Sequence, residues 1–233
     1  MSDHSRISKL MVAIAVALLA SACTAPPTAA PGPTPQAMPL GEVDLKPGTY
    51  AFTFPLLDAP GKPFPKVVIT VPDGWRSYKS FVVQSLVDTP RELGVSFWNV
   101  VDVYANGCHW LGPRVHPGPT VDELAAVLAA RPLRNATTPV AVTLGGYHGK
   151  YLEWSVPVDI NFSDCDGAFF RSWTGDGTGG TDRYQQAPGQ VDRLWILNVE
   201  GRRLVIDANY GPGASELDQV ELGKVVDSIA FKP

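Results

Sequence analysis

Proline and glycine interrupt this chain so often that it cannot fold around long helices. There are 22 of each in 233 residues, well above the usual share of roughly 12% for the pair, and each tends to end or bend the element that holds it. Short apolar segments survive between the interruptions. In Gly48 to Phe54, residues Tyr50, Phe52 and Phe54 fall on one face, the pattern of a half-buried strand. Val67 to Val71 is β-branched and stops at the turn-forming Pro72-Asp73-Gly74, with Trp75 after it. Phe81 to Val87, Val95 to Tyr104, Val140 to Leu144, Tyr147 to Val156, Phe169 to Trp173, Val191 to Val199 and Leu204 to Asn209 read as further strands. Gly145-Gly146 and Glu200-Gly201 mark tight hairpins. Asn161 to Gly167 and Thr174 to Gly189 read as long polar loops.

Two segments read as helices. Thr120 to Ala130 opens with a capping box, Thr120 and Glu123, and carries an apolar stripe of Val121, Leu124, Ala125 and Leu128 before Pro132 ends it. Glu216 to Ser228 follows Ser215 as N-cap, with acidic Glu216 and Asp218 in its first turn. Its expected core face is Leu217, Val220, Val225 and Ile229, and a short apolar segment, Ile229 to Phe231, closes the chain. Strands joined by hairpins, with two helices among them, predict an α+β fold: a largely antiparallel sheet with helices packed on it.

The first residues are expected to lie outside that fold. Arg6 and Lys9 precede an apolar run, Leu10 to Leu19, and Ala20-Ser21-Ala22-Cys23 follows, which are the parts of an export signal. The run is about half the length that a membrane-spanning helix needs. Ala20-Ser21-Ala22 fits ordinary signal peptidase, whereas Leu18 to Cys23 resembles a bacterial lipobox, in which the cysteine carries lipid. The uncharged Pro- and Ala-rich stretch Thr24 to Pro39 favours the second, because an extended spacer makes sense when one end is anchored. The expected organisation is a lipoprotein-type signal at 1–22, a linker at 23–44 and one domain at 45–233. Cys23 is the lipid attachment site, and the protein is anchored on the extracytoplasmic side of the membrane or, alternatively, secreted.

The net charge of −4 leaves no basic footprint for nucleic acid, so membrane attachment falls to the anchor.

Ile69-Thr70-Val71-Pro72-Asp73-Gly74-Trp75, the hairpin Gly145-Gly146-Tyr147 leading into Lys150-Tyr151-Leu152-Glu153, and the closing Val226-Asp227-Ser228-Ile229-Ala230-Phe231 resemble the PsbP-like fold. The chain is also similar to secreted lipoproteins of actinobacteria, including the LpqN-like group. The resemblance covers roughly Gly48 to Phe231 and contains no catalytic motif. It implies a binding or assembly protein, by analogy of fold alone. Cys108, Cys165 and the stretch Thr174 to Gly189 depart from its pattern.

With Cys23 lipidated, Cys108 and Cys165 remain as an even pair in an exported chain, and a disulfide is the natural reading. A reactive thiol, or a metal site using Cys108 and His109, is the alternative. His109, His116 and His148 share no metal-ligand spacing. There is no Gly-x-Ser-x-Gly elbow and no phosphate loop. The acidic segments around Asp164 and Asp166, and Gly175 to Asp182, do not match the EF-hand spacing. No catalytic residue, metal or cofactor is therefore assigned.

Trp75, Trp98, Trp154 and Trp195 are expected in the core. Trp110 and Trp173 lie near the cysteines, where they either pack or line an apolar groove for a lipid, glycan or peptide ligand. Tyr104, His109, Trp110, Arg171 and Trp173 are the candidate binding residues. Three functions remain open at this level: a binding module for an envelope ligand or partner, an envelope hydrolase built on His109 or His148, and a structural or sensory domain.

Overall fold

The computed structural model describes residues 34–79, 82–176 and 182–233. The export signal, Cys23, the first part of the spacer, Phe81 and Gly177 to Thr181 lie outside the described residues. In chain order the strands are β1 (Gln36–Ala37), β2 (Val43–Asp44), β3 (Gly48–Phe52), β4 (Lys66–Val71), β5 (Trp75–Tyr78), β6 (Val82–Ser85), β7 (Leu93–Tyr104), β8 (Arg114–Val115), β9 (Val140–Leu144), β10 (Tyr147–Ser155), β11 (Phe170–Asp176), β12 (Asp182–Gln185), β13 (Val191–Val199), β14 (Arg202–Tyr210) and β15 (Ala230–Lys232). The helices are α1 (Val121–Ala129) and α2 (Glu216–Asp227).

A small sheet has the order β1-β3-β4-β15, and a large one the order β2-β5-β6-β7-β14-β13-β10-β9. The long strand β7 serves two neighbourhoods. Its first half pairs with β6 and β14, and its second half pairs with β8 and β11, which in turn holds β12. Among the described residues every strand pair is antiparallel except β1–β3. This is the α+β architecture that the segment pattern predicts.

The period-two alternation of the large sheet splits the core in two. One face presents Leu93, Val95 and Phe97 of β7 with Leu204, Ile206 and Ala208 of β14. The small sheet and α2 close over it, contributing Phe52, Ile69, Leu222 and Val225. The other face presents Val100, Val205, Leu194 and Leu152, covered by Leu124, Ala125 and Leu128 of α1 and by Trp173. The hairpins are as expected: Gly145 and Gly146 both have positive φ, as do Glu200 and Gly201, which fits the twist of two-residue turns.

Four expectations are corrected. Leu217 and Val220 of α2 are exposed, at 81% and 54%. The helix instead buries Leu222, Val225 and Val226, because these continue to Ile229 as one unbroken i, i+3, i+4, i+7 stripe. The packed structure begins before residue 45: β1 and β2 pair with β3 and β5, and Met38 is buried. Trp75 opens a strand of its own, β5. The stretch Thr174 to Gly189 contributes the end of β11 and all of β12. Of the four tryptophans expected in the core, Trp75 and Trp154 are fully buried, whereas Trp98 and Trp195 are only partly so.

Candidate functional site

Cys108 and Cys165 are joined by a disulfide. It ties the turn after β7 to the turn before β11, helped by main-chain bonds from Asp166 N to Cys108 O and from Arg171 N to Gly107 O, both 2.8 Å. Gly107 allows this approach: a Cβ there would lie 2.8 Å from Arg171 O. The two turns are thereby held together, and side chains distant in sequence converge.

Tyr104 ends β7, Trp110 sits in the loop beyond it, and Arg171 projects from β11. The Arg171 guanidinium carbon lies 3.9 Å from the Trp110 ring centroid, and the guanidinium also pairs with Asp182 of β12. Tyr104 donates its hydroxyl to the same carboxylate over 3.0 Å, and its ring meets Trp110 edge-on at 6.3 Å. The Trp110 indole nitrogen donates to the carbonyl of Asp166 at 2.6 Å. These groups bound a cleft of about 510 Å³, which Leu111, Asp102 and Arg114 complete. Arg114 lies 4.0 Å from Asp102, and His116 Nδ1 lies 2.9 Å from the same carboxylate. Each cation of this outer cleft thus has an anion beside it, which leaves the aromatic and aliphatic groups as its unpaired surface.

The cleft brings together three of the five residues singled out in the sequence. His109 is 68% exposed and 3.7 Å from Asp166, off the lining. Trp173 is fully buried between Trp98 and Trp154, with ring centroids 6.0 and 5.8 Å away. It belongs to the core and cannot line a groove. Strand periodicity alone would put residues 171 and 173 on one face. A β-bulge between them, where β11 slips against β12, turns Trp173 inward while Arg171 stays outside. Asp102, Asp182 and His116 were missed. Asp182 stood only in an acidic loop-like stretch, Asp102 within a strand segment and His116 as a lone histidine, all ordinary for a solvated surface.

A buried polar cluster beneath β12 was also invisible in the sequence. Arg183 Nε donates to Asp207 Oδ2 at 2.5 Å, and Nη2 donates to Asp192 Oδ1 at 3.0 Å. Gln185 and Gln190 donate to Asp192 as well, at 2.9 and 2.7 Å. Ser172 links Gln185 to Arg134, whose guanidinium stacks on Trp154 and Phe170. Burial pushes the Asp207 carboxyl up to about 7 against the pull of Arg183, and its Oδ1 has no hydrogen-bond partner among the described residues. The cluster clamps β11 and β12 to the large sheet, and so holds Arg171 and Asp182 at the cleft.

Among the described residues no group of His, Cys, Asp and Glu is arranged to hold a metal ion, and no helix is long and apolar enough to cross a membrane. Neither a family model nor a curated protein matches the chain. One solved structure, described as the crystal structure of LpqN involved in cell envelope biogenesis of Mycobacterium tuberculosis, is 14% identical. That match covers 74% of this chain and 87% of that one at a TM-score of 0.38. No residue role is transferred from it.

Proposed function

We propose that this protein is an exported binding module that takes a cell-envelope ligand or partner at the cleft beside its disulfide, with Cys23 as the lipid-bearing tether to the membrane. In this reading the α+β domain is PsbP-like and works by recognition. The observation that carries it is the convergence of Tyr104, Trp110 and Arg171 on one concave surface whose charges are already paired. Such a surface suits a ligand with an apolar or flat portion and little net charge. A disulfide points to an oxidising compartment, in keeping with the export signal.

Tryptophan fluorescence tests the binding claim, with fatty acids, neutral saccharides and short peptides titrated in turn. A ligand of this cleft shifts the emission of the parent protein and loses its effect in Trp110→Ala and Arg171→Ala. Binding that survives both substitutions removes the cleft from consideration. Intact mass of the membrane-fraction protein, with and without reduction, tests the tether: lipid on Cys23 and one disulfide are expected. An unlipidated soluble form would replace the anchored reading with a diffusible one.

The runner-up, an envelope hydrolase, draws on the Asp102–His116 pair at the cleft rim, an arrangement that can orient a general base. No hydroxyl hydrogen-bonds His116 among the described residues. Turnover of an ester or amide substrate that is lost in His116→Ala would put this reading first.

A further inference from the structure

The second face of the large sheet is covered by α1 at one end and by β11 and β12 in the middle. Beyond β12 none of the described residues covers it, and it forms a cleft of about 380 Å³, within the roughly 300–1,000 Å³ of small-molecule sites. The strand register lays out its floor. Arg76 of β5 lies opposite Gln84 of β6, Gln84 opposite Gly94 of β7, and Gly94 opposite Asn209 of β14. These four form one row on the face opposite Leu93, Val95 and Phe97. Ser96 and Trp98 continue along β7 on the same face, and Tyr184 of β12 forms part of the wall.

Asn209 is the informative residue. It is 8% exposed, it lines the cleft, and its carboxamide has no protein partner among the described residues. Its amide atoms are not shut away from solvent, so they are open to a ligand that enters the cleft. Gly94 makes the space: a Cβ there would lie 2.7 Å from Asn209 Oδ1. Gln84 presents a second carboxamide two strands away, on the far side of β7. Each amide both donates and accepts, and a hydroxyl does the same.

The charges at this cleft are mostly engaged. Arg183 is held by Asp207 and Asp192, Arg76 reaches Glu42 at 3.4 Å, and Asp182 pairs with Arg171. Burial pushes the Glu92 carboxyl up, toward its neutral form. A peptide strand would need a free sheet edge for its main chain, whereas here the backbone of β6, β7 and β14 is already paired and only side chains face the ligand.

We infer that this inner cleft is a second binding site, for a neutral hydroxyl-rich ring such as a saccharide unit, read by Asn209 and Gln84 beside the Trp98 indole. It shares only Asp182 with the outer cleft, so it stands or falls separately from the function proposed above.

The test is saturation-transfer NMR and calorimetry on the full protein with glucose, galactose, mannose, arabinose and N-acetylglucosamine. Glucose 6-phosphate and a neutral tetrapeptide serve as comparisons. At least one neutral sugar is expected to bind. Asn209→Ala and Gln84→Ala should each weaken it about tenfold, the loss of roughly one good hydrogen-bond pair, while circular dichroism stays unchanged. Gly94→Ala should weaken it by crowding the amide, and Trp110→Ala should leave it alone. Sugar binding that follows Trp110 and ignores Asn209 overturns this inference while supporting the outer cleft. Binding of only the phosphate or the peptide overturns the ligand class, and binding of none overturns the site.

Discussion

Arg183 and Asp207 meet beneath β12 with the arginine Nε 2.5 Å from the carboxylate, in a place where the aspartate has no exposed surface and the arginine side chain only 6%. Asp192 shares the same guanidinium, and Arg134 sits close by behind Ser172 and Gln185. Removing the arginine leaves Asp207 without its ion-pair partner and Asp192 with only its two glutamine donors. Arg183→Met is therefore expected to cost about 3–5 kcal/mol, the usual penalty for breaking a buried pair from one side. Chemical denaturation measures it, and a loss below about 1 kcal/mol would mean that β12 is held by other contacts.

Asp207 also sets a pH dependence. Its folded-state value of about 7 lies above the ordinary 3.8, so between these values the folded protein holds more protons than the unfolded chain. The stability it contributes is whole below about pH 4 and is lost as pH rises through 7. Asp207→Asn should remove that decline from a plot of stability against pH. An unchanged slope would show that the carboxyl titrates in its ordinary range.

Asp218 has the opposite sign. Hydrogen bonds from Arg91, at 2.9 and 2.7 Å, and then from the Ser215 backbone hold it below the ordinary carboxylate range. Its contribution is present above pH 4 and disappears as the carboxyl is protonated in acid. Asp218→Asn is expected to lower Tm at neutral pH and to flatten the fall of Tm in acid. Parallel acid limbs for the two proteins would contradict this.

Cys108 and Cys165 lie 57 residues apart, and a closed loop of that size is worth roughly 4 kcal/mol in the chain-entropy view. Urea midpoints with and without reductant report it. Because the bridge ties the Trp110 loop to β11, reduction should also weaken ligand binding at the outer cleft. Full retention of binding after reduction would show that the main-chain bonds alone position the loop.

The tryptophans divide by role. Trp173→Ala is expected to cost about 3–5 kcal/mol by opening a cavity in the core, whereas Trp110→Ala, at a part-exposed position, should leave stability within about 1 kcal/mol and change binding. On α2, Leu222→Ala should cost about 2–5 kcal/mol, and Leu217→Ser should cost little because Leu217 is 81% exposed. Thermal unfolding of the four variants separates these outcomes, and a large loss in Leu217→Ser would contradict the helix orientation.

Alternating apolar residues, Gly-Gly and Glu-Gly turns, one capping box and one N-cap serine were enough to read most strands, both helices and the α+β class, because these signals act over a few neighbouring residues. Two cysteines in a chain with an export signal were enough to expect their pairing. Tyr104, Trp110 and Arg171 could be named as candidates, since aromatic residues beside a disulfide are readable as a cluster. The face of α2 was misread: the stripe Leu222, Val225, Val226 and Ile229 lies in the segment, but Leu217 and Val220 offered a second side, and packing against the two sheets selects the first. The fate of Trp173, which one bulge turns away from Arg171, could not be read locally. The pairing of Arg171 with Asp182, the cluster of Arg183 with Asp192 and Asp207, and the row of Gln84, Gly94 and Asn209 all join strands far apart in sequence. Strand order and register create those neighbours, and no periodicity within a single segment encodes them.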